Sequence, residues 1–333
     1  MSNVLVTGAG SVIGQALIKS IRKSSLKCRI IAADYFSHAV GLYWADSQYL
    51  LPDILKKEVT EEEWISAVKK ILIHENIDVV LIGLDFELDI FSRYKQRLEQ
   101  ETKAKIIVGD EASIRICQDK WLTAECLRER GLNYAPSCLP ESIKPFISQN
   151  AFPYVVKPRR GFRSRNVFFV KNETELDHAL LVCPNPVIQK EMGTIEKEYT
   201  CGSLILDGEV KSVISLRRDL KDGNTFRAIC DDTCEDVNRY IVQAAKVLNL
   251  FGPANYQLRL TEQGPFIFEI NPRFSGTTYM RTLLGVNEVV ILLESVLEGK
   301  RRPMPVPQLG AVLRFFDELF VPLDCYRSNS ELS

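Results

Sequence analysis

This 333-residue chain has no Cys-x-x-Cys pair, no apolar run approaching 18 residues and no surplus of charge of either sign. Each absence removes a class of function. Among nine cysteines the closest two are Cys230 and Cys234, and the three histidines, His38, His74 and His178, stand too far from cysteines to suggest a zinc site. Thiols without a framework read as free cysteines of a reducing compartment. The chain opens on an apolar strand, not on a basic stretch followed by an apolar one. A cytoplasmic protein with no membrane partner is therefore expected. Lys plus Arg (42) almost cancel Asp plus Glu (43), leaving a formal charge of −1. Nothing offers a field to nucleic acid, so any polyanion handled here is small and held by local charge.

What is present is alternation. With 46% hydrophobic residues, the chain has core material for two or three sub-domains. Short apolar strands at 3–7 and 29–33 bracket a helical pattern from 14 to 23. A helix over 60–75, opened by Thr60 and Glu63 at capping-box spacing, leads to a strand at 78–82, a helix to about residue 100 and a strand at 105–108. That order predicts a parallel sheet with helices on both faces, a Rossmann-like α/β domain over residues 1–112. A second region, 113–187, opens with a helix over 119–130 that Gly131 stops. Strands at 153–157 and 166–170 follow, joined by a loop bearing glycine and arginine. The third region, 188–333, has strands near 186–189, 198–206 and 210–215. Its helix over 235–250 is marked by Val237, Ile241, Ala244, Ala245 and Leu248 at 3.6-residue spacing, and a hairpin spans 256–270.

Between the first strand and helix stands Thr7-Gly8-Ala9-Gly10-Ser11-Val12-Ile13-Gly14. The glycine spacing is one residue longer than the dinucleotide fingerprint, and Asp34 follows Gly14 by 20 residues, where an acid could hold a ribose. A nicotinamide oxidoreductase is thus one reading. The off-spacing weighs against it, as does the absence of any Tyr-x-x-x-Lys couple. A plain strand-to-helix turn explains the glycines equally.

The chemistry concentrates in Asn255-Tyr256-Gln257 and Phe268-Glu269-Ile270-Asn271-Pro272-Arg273. Alternate residues of a strand share a face, so Glu269 and Asn271 point together, as do Asn255 and Gln257 on the partner strand. A carboxylate and side-chain amides, completed by phosphate oxygens, are ligands that suit Mg²⁺. Arg273 falls on the same face as a planar fork for phosphate. Phe266, Phe268 and Ile270 alternate with these groups, which a merely solvated polar face does not explain.

This arrangement resembles the ATP-grasp superfamily, specifically its carbamoyl-phosphate-synthase-like carboxylate–amine ligases, and the resemblance covers nearly the whole chain. Glu269-x-Asn271-Pro272-Arg273 is similar to that family's metal motif, with Gln257 on the preceding strand. Asp119-Lys120, Pro153-Tyr154-Val155-Val156-Lys157-Pro158, Val187-Ile188-Gln189-Lys190-Glu191-Met192 and Glu198 resemble its nucleotide segments, in its order. The resemblance implies a two-lobed ATP-grasp domain after the Rossmann-like one, with an α+β lid over 113–187. It implies ATP held by Lys120, Lys157, Gln189, Glu191 and Glu198. It implies Mg²⁺ or Mn²⁺ on Gln257, Glu269 and Asn271, and Arg273, Glu269 and Asn271 as the catalytic group. One departure stands out: where the family has several glycines, Arg159-Arg160-Gly161-Phe162-Arg163-Ser164-Arg165 has one glycine and four arginines.

The reaction implied is phosphorylation of a carboxylate to an acyl phosphate, which an amine then displaces. Substrate candidates are Gly8, Gly10 and Glu87 from the first domain, Arg217 and Arg218 on a polar loop running to Gly223, and Ser275 and Thr277 after the metal strand. Small-molecule acids and amines are the partners, with a homodimer as a further possibility. A carbamoyl-phosphate-synthase-like kinase acting on bicarbonate or carbamate and a non-catalytic nucleotide binder remain alternatives.

Overall fold

The computed structural model describes residues 1–161 and 166–330, organised among them by three sheets. The first contains β1 (Ser2–Val6), β2 (Cys28–Asp34), β3 (Ser47–Leu50), β4 (Val79–Leu81) and β5 (Lys105–Ile106), in the order β3-β2-β1-β4-β5. All its pairings are parallel. Val4, Leu5, Val6 and Ile30–Ala33 are buried completely, as continuous apolar runs must be when helices cover both faces. Helix Val12–Arg22 covers one face, with Leu17 and Ile21 in its core. Helices Glu61–His74 and Asp85–Thr102 cover the other, through Trp64 and Phe91. The Thr60–Glu63 capping box forms: the Thr60 hydroxyl accepts from the Glu63 amide at 3.2 Å, and the Glu63 carboxylate accepts from the Thr60 amide at 2.8 Å. Edge strand β3 was not foreseen, because Ser47-Gln48-Tyr49-Leu50 has no apolar run and is fixed by pairing with β2.

The second sheet is antiparallel, ordered β6-β9-β7-β8 from β6 (Ser137–Cys138), β7 (Tyr154–Pro158), β8 (Phe168–Val170) and β9 (Pro186–Lys190). Its own core includes Phe146, Tyr154, Leu176 and Ile188. Two boundaries differ from expectation. β9 pairs with β6 and β7, so this lobe runs to Lys190 and does not end at 187. Helices Glu111–Gln118 and Lys120–Glu129 do not belong to it, since Cys117 and Leu127 pack into the core of the next sheet.

That third sheet is ordered β14-β13-β10-β11-β12-β15, from β10 (Glu198–Leu206), β11 (Glu209–Lys221), β12 (Asn224–Cys230), β13 (Gly252–Thr261), β14 (Gly264–Asn271) and β15 (Gly310–Leu313). Helix Cys234–Leu248 packs on it with Val237, Ile241, Ala244, Ala245 and Leu248 buried, the face the periodicity gave. Helix Glu288–Glu298 sets Val289, Leu292 and Leu293 into the core that holds Val4 and Leu17, tying the first domain to this sheet. Arg217 and Arg218 lie within β11, not on a loop. The turn is Asp222-Gly223, with φ of 52° and 73°, the mirror-image hairpin turn that Asp-Gly favours.

The β13/β14 hairpin places Gln257 opposite Glu269 and Asn255 opposite Asn271. Strict alternation fails one step later. The register shifts between Gln257 and Leu258, whose partner is Ile267, so Phe268 is the extra residue of a bulge. Ile267 and Ile270 therefore enter the core, and Phe268 turns to the same side as Glu269.

Candidate active site

Two cavities, of about 340 and 350 Å³, meet at the β13/β14 hairpin and share Arg218, Gln257 and Glu269 in their walls. The first lies between the second and third sheets and takes in Lys120, Lys157, Gln189, Glu191 and Glu198. The second lies between the first domain and the third sheet and takes in Asn271, Arg273, Ser275 and Thr277.

The first cavity is cationic at its base. Lys120 begins helix Lys120–Glu129, whose cap Asp119 accepts from the Trp121 and Leu122 amides. Its ammonium donates to the Gly161 carbonyl at 3.2 Å and stands 3.9 Å from Glu269 Oε2. Lys157, on β7, is buried with its Nζ 5.1 Å from the Phe268 ring centroid. Burial, with Lys120 beside it, pushes Lys157 down to about 7. Burial raises Glu269, yet Lys120 and Lys157 prevail and hold its carboxyl below the usual range. The apolar walls include Val155, Phe169, Met192 and Phe266. Gln189 spans β9 and β6, its amide donating to Ser137 Oγ at 3.0 Å.

Four charged side chains line the far wall as a chain. Arg218 donates twice to Glu198 Oε1 (3.0 and 2.8 Å) and once to Gln257 Oε1 (2.8 Å). Arg259 donates to Glu198 Oε2 and to Glu191 Oε1, both at 3.0 Å. Both Glu198 oxygens are thus engaged by guanidinium groups, and Glu198, Arg218 and Arg259 are all buried. The sequence reading missed Arg259, although it continues the alternation Asn255, Gln257, Arg259 that had already singled out the strand.

Glu269 Oε1 accepts from Gln257 Nε2 at 3.2 Å and from Asn271 Nδ2 at 3.0 Å. The amide oxygens face Arg218 and Arg273. Among the described residues no three His, Cys, Asp or Glu side chains converge. One carboxylate and two amides fit a hard cation only with oxygens from elsewhere, as when Mg²⁺ is shared with phosphate. The donor set therefore suits a metal that arrives with nucleotide.

In the second cavity Arg273 donates from Nε to Asp85 Oδ1 at 2.8 Å and from Nη2 to Asn271 Oδ1 at 3.2 Å. Ser275 and Thr277 exchange a 2.8 Å hydrogen bond, and Arg281 Nη2 donates to each hydroxyl at 3.0 Å. Arg281 itself is buried against Glu288 and Asn255. Sequence reasoning missed both Arg281 and Asp85. Asp85 had one signal, its place just beyond β4 after Gly83-Leu84.

Several expected residues lie elsewhere. Arg217 bonds Asp231 at 3.0 Å and lines neither cavity. Glu87 is buried completely, with Thr7 donating to one oxygen at 2.5 Å and Tyr35 to the other at 2.7 Å, so it is closed to an amine. Burial pushes its carboxyl up to about 7. Gly8 and Gly10 border neither cavity. Gly8 takes φ +54°, and a Cβ on Gly14 would meet the Gly8 carbonyl oxygen at 2.2 Å, so the glycines serve the turn. Asp34 closes that loop, accepting from the Gly10 and Tyr35 amides at 2.8 and 2.7 Å, so it is not open to a ribose. Arg159 pairs with Asp119 at 2.6 Å, and Arg160 is 3.9 Å from Asp89. Arg163 and Arg165 lie outside the described residues.

Two family models match parts of this chain. Residues 193–317 match a family described as "ATP-grasp in the biosynthetic pathway with Ter operon", and residues 4–107 match "PylC-like, N-terminal domain". The carbamoyl phosphate synthase large chain of Pseudothermotoga lettingae is 23% identical over 276 residues, covering 77% of this chain. The present chain spans only 24% of that relative. A carbamoyl-phosphate synthase of Methanobrevibacter smithii is 26% identical over 277 residues, covering 78% of this chain and 73% of its own. In fold, the chain is similar to N5-carboxyaminoimidazole synthetase from Staphylococcus aureus complexed with ADP. The TM-score is 0.72 at 15% identity, over 92% of this chain and 80% of that one.

Proposed function

We propose that this chain, whose residues 193–317 match an ATP-grasp family model, is an ATP-dependent ligase of the ATP-grasp type that activates a carboxylate as an acyl phosphate and couples it to an amine. The observation that carries this reading is the meeting of two cavities at Arg218, Gln257 and Glu269, with Lys120 and Lys157 on one side and Arg273 on the other. A nucleotide in the first cavity would extend its phosphates toward Lys120 and Lys157, two buried cations that otherwise repel each other. Gln189 and Glu191 border the base, and Glu198 borders the ribose. Glu269, Asn271 and Gln257 would hold Mg²⁺ or Mn²⁺, which supplies charge neutralisation on the phosphates.

From the second cavity the substrate carboxylate attacks the γ-phosphorus, and ADP leaves. Arg273, oriented by Asp85 and Asn271, neutralises the transferring phosphoryl group and then the acyl phosphate. Ser275 and Thr277, fixed by Arg281, border the acyl group. An amine displaces phosphate to give the amide. The lid sheet limits access of water to the acyl phosphate. Bicarbonate or carbamate as the acid is the second reading, favoured by the carbamoyl-phosphate synthase relatives. A homodimer is proposed as the working form, with sedimentation velocity as its check.

The test is nucleotide turnover by the full chain with Mg²⁺ against a panel of carboxylates and amines, beside Glu269→Ala. Stimulated ADP and phosphate, lost in the variant, support the ligase; AMP and pyrophosphate overturn it.

A further inference from the structure

The second cavity is lined by one cation for which the described residues provide no counter-charge. Arg314 follows β15, anchored by its amide to the Phe226 carbonyl at 2.8 Å, and its Nη2 donates to the Gly276 carbonyl at 2.6 Å. Its Nε is buried without a hydrogen-bond partner. Among the described residues no carboxylate lies within ion-pair distance of it. The other guanidinium groups at these cavities are paired: Arg218 and Arg259 with Glu198, Arg273 with Asp85. Burial pushes Arg314 below the ordinary arginine range. A half-buried, unpaired guanidinium is costly unless an anion completes it.

The same cavity is lined by an acid in the complementary condition. Asp85 gives Oδ1 to Arg273, while Oδ2 has no protein partner among the described residues. The wall of that cavity also includes Val12, Ile13, Leu84 and Phe86. Gly276 lies so close to Val12 that a Cβ there would meet Val12 Cγ1 at 2.9 Å, so Arg314, Gly276 and the apolar wall are contiguous. One cation, one half-free carboxylate and an apolar wall describe the complement of a zwitterion with an apolar body.

We propose that Arg314 is the carboxylate receptor for the amine substrate, which is therefore an amino acid with an apolar side chain. Its ammonium rests on Asp85, and this inference depends on the ligase reading above. Through Asp85 the nitrogen lies beside Arg273, where the acyl phosphate forms. The ammonium first releases a proton to water. The nitrogen lone pair then makes the C–N bond while the C–O bond to phosphate breaks and phosphate leaves with that electron pair. The surplus N–H proton leaves with phosphate. The sum is acyl phosphate plus ammonium giving amide, hydrogen phosphate and one proton.

The experiment is calorimetry on the full chain loaded with Mg²⁺ and the ATP analogue AMPPNP. Alanine, valine, leucine, methionine and phenylalanine are each titrated beside their carboxamide and decarboxylated amine. We expect at least one amino acid to bind, with its two analogues weaker by about 10-fold or more. Arg314→Gln removes that preference and Arg314→Lys restores part of it, both with AMPPNP affinity unchanged, which also shows that they fold. Equal binding of acid and amide, a preference that survives in Arg314→Gln, or no binding of any amino acid by AMPPNP-loaded protein overturns the proposal. If AMPPNP itself does not bind, the ligase reading fails and takes this inference with it.

Discussion

The Lys157 ammonium sits 5.1 Å from the centroid of the Phe268 ring, a residue that reaches the cavity only because of the bulge in β14. Cation–π attraction offsets part of the desolvation there, but burial and Lys120 still bring Lys157 down to about 7. At pH 8 the empty protein therefore carries Lys157 largely neutral. Phosphates beside it restore the charge, so AMPPNP binding takes up as much as about one proton. Calorimetry in buffers of different ionisation enthalpy measures this. Uptake that vanishes in Lys157→Met agrees, and binding without uptake at pH 8 does not.

The same substitution separates stability from function. Below pH 7 the folded protein bears the full cost of the buried ammonium, and that cost fades as pH rises toward 10.5, the ordinary lysine value. Lys157→Met should raise the apparent Tm at pH 6.5 while weakening AMPPNP. A fall in both would mean that the cation is satisfied without ligand.

Glu198 holds Arg218 and Arg259 apart and in place. Glu198→Ala leaves two buried guanidinium groups with a shared partner missing and should cost about 3–5 kcal/mol in urea unfolding. Loss below about 1 kcal/mol would show that Glu191 and Gln257 suffice to hold them.

Glu87 makes stability depend on pH. The unfolded chain ionises it near 4.5 and the folded chain near 7. The unfolded state binds fewer protons between those values, so stability falls as pH rises through them, by about 3 kcal/mol in all. Glu87→Gln should flatten that slope in urea unfolding followed from pH 4.5 to 7. An unchanged slope would place it in other groups.

Mn²⁺ binding should require nucleotide. Glu269 is one carboxylate facing Lys120, Lys157 and Arg218, and the amide oxygens beside it face arginines. Electron paramagnetic resonance titration should show Mn²⁺ bound with AMPPNP and not without it. Tight binding to the empty protein would contradict a shared metal.

The periodic parts of this chain were legible in its sequence, and the reasons are local. Val4-Leu5-Val6, the Thr60 capping box and the buried stripe of helix Cys234–Leu248 are each set by neighbours in the chain. That Glu269 and Asn271 lie side by side with Asn255 and Gln257 followed from strand alternation in a hairpin. The pairing of Gln257 with Glu269 depends on the bulge at Phe268. What escaped depends on contacts distant in sequence. β3 exists through β2, Arg281 acts through Glu288 and Ser275, and Arg314 reaches the second cavity only because β15 pairs with β12. Arg217 and Arg218 were misplaced because the Asp222-Gly223 turn signal was read as part of a longer loop. Once they lie on a strand, the period of two sends them to opposite faces.

Acyl phosphate formation is most directly tested by isotope transfer. With the substrate carboxylate labelled with ¹⁸O, ATP, Mg²⁺ and the amine, one carboxylate oxygen must leave with each phosphate released. Mass spectrometry of the inorganic phosphate should find one ¹⁸O per phosphate, at a rate equal to amide formation and lost in Glu269→Ala. Unlabelled phosphate, or AMP and pyrophosphate as products, would contradict the mechanism.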